Sequence, residues 1–225
     1  MRLLIYVLVI HSEADMGTVA ETHKKEFTAA FGVCVWNDHI KAVDEMWEGI
    51  RARLGKMDVD HGKIRVYQDG LPLCGRELDI VRDVASQGSQ NHQLVLSLVE
   101  RGACLEGTED VHLLLEEYRY IQAIANEVGP AEKCSKAKSL SKARKLLLRR
   151  RDRFIACRID QTLKEGETGI LFAGMAHEID KYLPKGIDVS YLIFRLPFSK
   201  LHQSGRLGET PGPENSQQLK GIARS

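Results

Sequence analysis

Two histidines of this chain occupy addresses where an α/β sheet does chemistry. His11 directly follows the apolar run Leu3 to Ile10, and His177 follows Gly169 to Ala173 through the turn Gly174-Met175-Ala176. Ligands of open parallel sheets bind beyond the carboxyl ends of the strands, so neighbouring strands would bring both imidazoles to one crevice. An imidazole accepts a proton when neutral, donates one when charged and binds metal ions, which suits proton-transfer or metal chemistry near neutral pH. In extended backbone, His11-x-Glu13-x-Asp15 places three side chains on one side. The nitrogen and two carboxylates of this set could bind one divalent ion, zinc or manganese, with water completing the shell. The competing reading is a polar strand exit in which Asp15 caps a helix starting near Met16.

Acids and an arginine pair offer further candidates. Leu148, Asp152, Ile155, Ile159 and Leu163 recur at helical spacing, which puts the Asp152 carboxylate on the inward face of a long helix. Such a carboxylate is costly unless answered, by Arg151, by Arg149 or by a catalytic group. Glu106-Gly107-Thr108-Glu109-Asp110 follows the apolar trio Ala103 to Leu105, so acids again stand at a strand end. Thr108 or Asp110 equally suits the cap of the next helix, and Ser89-Gln90-Asn91-His92 reads as a cap at Asn91 with His92 on the surface. His177-Glu178 is not an H-E-x-x-H zinc helix, and the phosphate-loop, G-x-G-x-x-G and G-x-S-x-G signatures are missing.

Net charge is +1, which conceals an asymmetry. Residues 133 to 153 hold ten Lys or Arg against Asp152, so this segment carries +9 and the remainder −8. Arg149, Arg150 and Arg153 are the candidate contacts for an anionic ligand, nucleic acid or an acidic partner. A solvated helix face explains the same run. Aromatic residues do not interleave with it, which disfavours a base-stacking surface.

Positioning these residues requires strands and helices in alternation. Apolar runs at Leu3–Ile10, Gly32–Val35, Ile64–Tyr67, Ala103–Leu105, Gly169–Ala173 and Val189–Phe194 read as strands buried on both faces. Helical stripes lie between most of them: Val43–Leu54, a segment from Asn91 to Gly102, Val111–Val128 before Gly129-Pro130, and about 139 to 164. The expected fold is a three-layer α/β domain, a mainly parallel sheet flanked by helices, over residues 1–198. Residues 199–225, rich in Gly and polar residues, read as a flexible tail.

Composition agrees with a soluble globular protein: 225 residues, 43% apolar and 28% charged, with no uncharged stretch of membrane-spanning length. The short apolar N-terminus lacks a small-residue cleavage pattern and reads as a strand rather than a signal peptide. Five scattered cysteines without C-x-x-C suggest neither a disulfide framework nor a thiolate metal site, and point to a reducing cytoplasm.

Gly174-Met175-Ala176-His177, the pair Arg151-Asp152 on a preceding helix, and Leu8-Val9-Ile10-His11 near the N-terminus together resemble the superfamily that joins TraB and Tiki proteins to the erythromycin-esterase-like and ChaN-like proteins. That group pairs two G-x-x-H motifs, adds acids between them and carries an Arg-Asn or Arg-Asp helix before the second. Here the second motif is complete and the first supplies its histidine without the glycine. The resemblance implies hydrolysis at paired histidines, with or without a metal. His11 and His177 would bind the metal or act on water, Glu109 or Glu13 would be the general base, Arg151 would stabilise developing negative charge, and Asp152 would orient Arg151 or a histidine. A different class of function also fits the residues: a regulatory module that binds anions through segment 133–153, or a homo-oligomeric scaffold in which that helix meets the acidic remainder of a second copy.

Overall fold

Strand β1 (Arg2–Val9) is an interior strand of the sheet, and its Leu4, Ile5, Tyr6, Val7 and Val9 are all buried. Its side chains point alternately to two faces, and both are covered, which is why the sequence is apolar without alternation. In the computed structural model, residues 1–15, 20–57, 59–125 and 133–194 are described; the tail expected at 199–225 lies outside them.

Four further strands join β1: β2 (Ile64–Gln68), β3 (Cys104–Glu106), β4 (Thr168–Gly174) and β5 (Ile187–Leu192). Their order is β3-β2-β4-β1-β5 and every pairing is parallel. Val9 pairs with Gly174 and Gln68 with Phe172, so β1, β2 and β4 end at one rim.

Among the described residues, six helices supply the two outer layers: α1 (Ala20–Phe31), α2 (Val33–Gly55), α3 (Glu77–Ser86), α4 (Gln90–Glu100), α5 (Val111–Ala125) and α6 (Lys133–Thr162). On one face Ile5, Val7, Val66, Ile170 and Phe172 pack against Val43, Met46, Trp47 and Ile50 of α2, Val81 of α3 and Leu94, Val95 and Leu98 of α4. On the other, Leu4, Tyr6, Tyr67 and Leu171 pack against Ile155, Ala156 and Ile159 of α6 and against Leu163 just after it. The three-layer α/β architecture with a parallel sheet is thus the one the patterning implies. Burying Ile155 and Ile159 completely stabilises the docking of α6 by about 1.5–3 kcal/mol each.

Several local expectations differ. Gly32–Val35 is not a strand: Gly32, at φ 89°, turns the chain from α1 directly into α2, and Val33 is 63% exposed on that helix. Ser89, not Asn91, caps α4 by accepting the His92 amide, and Asn91 is buried in the first turn. Asp110 caps α5 by accepting from the His112 and Leu113 amides. The predicted helix over 111–128 is seen to Ala125, and 126–128 lie outside the described residues. Leu147, 2% exposed, is buried more deeply than Leu148 on α6. Among the described residues no helix is long and apolar enough to cross a membrane.

Candidate functional site

The rim where β1, β2 and β4 end collects both histidines on one carboxylate. His11, just past β1, holds Nε2 3.2 Å from Asp69 Oδ2, and His177, past β4, holds Nε2 3.6 Å from the same oxygen. Asp69 follows β2 and is fixed there by backbone bonds: its N–H donates to the Phe172 carbonyl, and Oδ2 accepts the Gly174 N–H at 2.7 Å. Oδ1 accepts from the Gln68 side-chain amide at 2.8 Å.

Gly174 belongs to both sides of this arrangement. A β-carbon built on it would stand 3.1 Å from His11 Nε2 and 3.5 Å from Asp69 Oδ2. The glycine of Gly174-Met175-Ala176-His177 therefore makes room for the other histidine, while its amide holds the shared acid.

Behind His177 stands Asp152. Its Oδ1 accepts Nδ1–H at 2.6 Å and its Oδ2 accepts the Glu178 amide at 3.1 Å. The inward carboxylate of α6 is answered by a histidine, rather than by Arg149 or Arg151. Holding the proton on Nδ1 leaves Nε2 of the neutral ring as the acceptor facing Asp69. The Tyr6 hydroxyl donates to the His177 carbonyl at 3.3 Å, which further ties the turn to β1.

Electrostatics follow from this geometry. The Asp69 carboxylate, with a hydrogen bond and a smaller nearby Asp15 contribution, outweighs burial and raises His11 to about 9. Burial works against a charged His177, but its hydrogen bond to Asp152 and the charge of Asp69 raise it as well. Asp69 is itself buried, which opposes ionisation, yet the two imidazoles and the Gly174 amide hold it well below the carboxyl range. Of the three side chains His11 alone is open to solvent, at 36% exposure against 6% for His177 and 4% for Asp69. A ligand entering from solvent reaches His11 first.

Two expected roles are not available to the residues proposed for them. Glu109 is completely buried and spends both oxygens: it forms a two-pronged pair with Arg151, 2.6 Å on each side, and accepts the Gly70 amide at 2.7 Å. That leaves it a structural anion and not a general base. Arg151 is held by Glu109 and, through its third nitrogen, by Glu117, so its charge is neutralised before any substrate arrives. The pair sits beside the histidines and stiffens the loops after β2 and β3, where Leu73 N–H also donates to the Glu109 carbonyl.

The chain does not stay extended after His11. It turns into a short 3-10 segment, Glu13–Asp15, because Asp15 Oδ2 takes both the Ser12 amide and hydroxyl. The alternate-residue argument for His11, Glu13 and Asp15 thus fails, and the Glu13 side chain lies outside the described residues. Among those residues no group of three or more His, Cys, Asp or Glu side chains is arranged to hold a metal ion.

Arg149, Arg150 and Arg153 do not join the site. Arg149 and Arg150 are exposed, Arg150 is paired with Glu116 at 2.9 Å, and the Arg153 guanidinium lies over the Tyr182 ring. Arg150 and Arg153 line an open groove with Asp110, His112, Leu113 and Phe154. The side chains of Lys133, Lys136 and Lys138 lie outside the described residues.

Sequence reasoning missed Asp69, the acid on which the rest converges. Its signal was an acid and a glycine, Asp69-Gly70, immediately after a buried apolar strand. It also placed His92 at the surface, whereas that ring is 12% exposed and bonded to Ser89 and Asp15. Comparison with protein-family models, curated proteins and solved structures finds no match to this chain.

Proposed function

We propose that the protein is a hydrolase in which His11 and His177 divide acid and base work over the shared Asp69. One observation carries the reading: two imidazole Nε2 atoms from different strands face a single buried carboxylate oxygen at the sheet's C-terminal rim. The two rings are held differently, His11 open to solvent and His177 fixed through Nδ1 on Asp152, and that difference assigns their roles. His11, charged up to about pH 9, is the acid; His177, with Nδ1–H fixed on Asp152, is the base once its Nε2 is free.

In the reaction so assigned, His177 Nε2 takes a proton from water as the water oxygen bonds to the electrophilic centre. The bond to the leaving group breaks, and that group takes the proton of His11 Nε2. Asp69 holds the positive charge as it passes from the His11 ring to the His177 ring, and proton exchange with solvent then takes the proton from His177 and restores one to His11. The order of elements from Arg151 to His177, and the way Gly174 admits His11, support kinship with the TraB, Tiki and erythromycin-esterase-like group. The substrate would be a small molecule or a peptide. Zinc or manganese, which imidazole and carboxylate donors bind, belongs to the proposal only as a variable of the assay. A cytoplasmic location fits the scattered cysteines, of which the four described, Cys34, Cys74, Cys104 and Cys157, are free.

The second reading, an anion- or nucleic-acid-binding module on residues 133–153, draws on the exposed Arg149 and on the groove at Arg150 and Arg153. It has less support, since Arg150 and Arg153 are already engaged within the protein.

The test is turnover of chromogenic carboxylic esters and peptide amides, with chelator and with added zinc or manganese. Hydrolysis abolished in His11→Ala and His177→Ala, with the circular dichroism of the native fold retained, is the expected result. A protein inert in every condition, or active and indifferent to both changes, contradicts the hydrolase reading.

A further inference from the structure

A second cluster of Asp, Ser and His lies one turn beyond His11, and its geometry assigns it a task. Asp15 is 2% exposed in its side chain and divides its two oxygens. Oδ2 takes the Ser12 amide at 2.7 Å and the Ser12 hydroxyl at 2.8 Å, closing the turn that follows His11. Oδ1 takes the Ser89 hydroxyl and faces His92 Nδ1 at 3.3 Å. Ser89 caps α4, accepting the His92 amide at 3.0 Å, and its Oγ lies 2.8 Å from His92 Nδ1.

The trio invites a nucleophile reading, which the contacts reject. A serine nucleophile and its orienting acid must address opposite nitrogens of the histidine. Here Ser89 and Asp15 meet the same Nδ1, and Ser89 is completely buried. No substrate atom reaches that hydroxyl.

What the cluster does instead is join two parts of the chain 74 residues apart. We infer that Asp15, Ser89 and His92 are positioning residues: they anchor the turn after β1 to the first turn of α4 and so hold the His11 ring over Asp69. Holding a side chain by locked neighbours is what gives a working group its geometry, because an exposed ring on a free turn samples many rotamers. His11, the most exposed member of the site, needs such a hold most. The cost of burying the Asp15 carboxylate is met by hydrogen bonds from His92, Ser89 and Ser12, which keep its proton affinity below the ordinary value despite desolvation. The groups facing His11 are Asp69 from the β2 end, Asp15 from its own turn and Arg151 from α6.

The inference gives a cause for the His11 position and rests on the hydrolase reading only for its functional meaning. Its test reads the turn and the ring directly, so it can fail while turnover is found, or hold while none is. The full chain is labelled with nitrogen-15, and the Ser12 amide exchange rate and the His11 Nε2 resonance are followed at fixed pH. Ser89→Ala removes the anchor without changing any charge. The expected result is Ser12 exchange about tenfold faster, with Nε2 displaced toward an unbonded ring and β1 and α6 amides unchanged. Ser89→Thr, which keeps the hydroxyl, restores both signals. Should Ser89→Ala unfold, His92→Ala, which removes only the second contact, carries the same expectation with a smaller change. Wild-type exchange and an unmoved Nε2 in the folded variant overturn the inference.

Discussion

His11 lies against the α-carbon of Gly174, close enough that a β-carbon there would stand 3.1 Å from His11 Nε2. The same glycine donates its amide to Asp69, so one residue both seats the acid and admits the ring that pairs with it. In Gly174→Ala the backbone bond can persist while the ring must move. With 36% of the side chain exposed, His11 has room to swing outward, so the cost in stability is small, about 1 kcal/mol. The expected signature is a His11 midpoint, read by proton NMR, that drops from about 9 toward its ordinary 6.5. An unchanged midpoint would mean the contact does not seat the ring.

Glu109 and Arg151 carry a contrasting prediction. Arg151→Met leaves Glu109 buried with a single remaining partner, the Gly70 amide, and breaking a buried pair in this way costs about 3–5 kcal/mol. Urea unfolding of the purified variant measures it, and a loss under 1 kcal/mol contradicts a structural role. Glu109→Gln should destabilise as well, yet leave the shape of any pH–rate profile intact. A general base at that position would instead remove the turnover.

Much of this architecture was legible. The unbroken apolar stretch of β1 reports a strand covered on both faces, and the inward Asp152 on the α6 stripe demanded a partner, which proved to be His177. Gly32–Val35 misled because Val33, Cys34 and Val35 form a short apolar run; a run of that length does not separate a strand from a helix start, and Val33 is exposed. Asp69 escaped because no motif surrounds it: its meaning comes from parallel register, which sets Gln68 beside Phe172 and so brings the next residue to Gly174. Glu109 looked available because its partner Arg151 is 42 residues distant in the chain.

The pH dependence of stability follows from the same charges. His11 and His177 are raised in the folded protein, so their contribution is complete below the ordinary imidazole value; that of His11 is lost as pH climbs through about 9, and that of His177 as pH climbs above the ordinary imidazole value. Asp69 and Asp15 are lowered, so theirs is present above the ordinary carboxyl value and vanishes as pH falls. Stability should therefore peak between roughly pH 5 and 7. Solvent screening of the exposed His11 ring makes the alkaline decline shallow. Urea midpoints across pH 3 to 10 check this, and stability that keeps rising from pH 7 to 10 runs against it.

If His11 is the acid of a hydrolytic reaction, turnover must fail when the ring loses its proton. The rate should fall above about pH 9 in the wild-type protein, and the descending limb should move to lower pH in Gly174→Ala. A descending limb that stays in place while the NMR midpoint moves would assign the acid to another group.

The claim beneath all of this is that Asp69 is shared by both imidazoles, and histidine NMR titration of wild type beside Asp69→Asn tests it most directly. The prediction is that replacing the one carboxylate lowers both the His11 and the His177 midpoints, His11 by the larger amount since its Nε2 is nearer, 3.2 Å against 3.6 Å. If either ring titrates as it does in the wild type while the fold is intact, the two histidines do not form a single site.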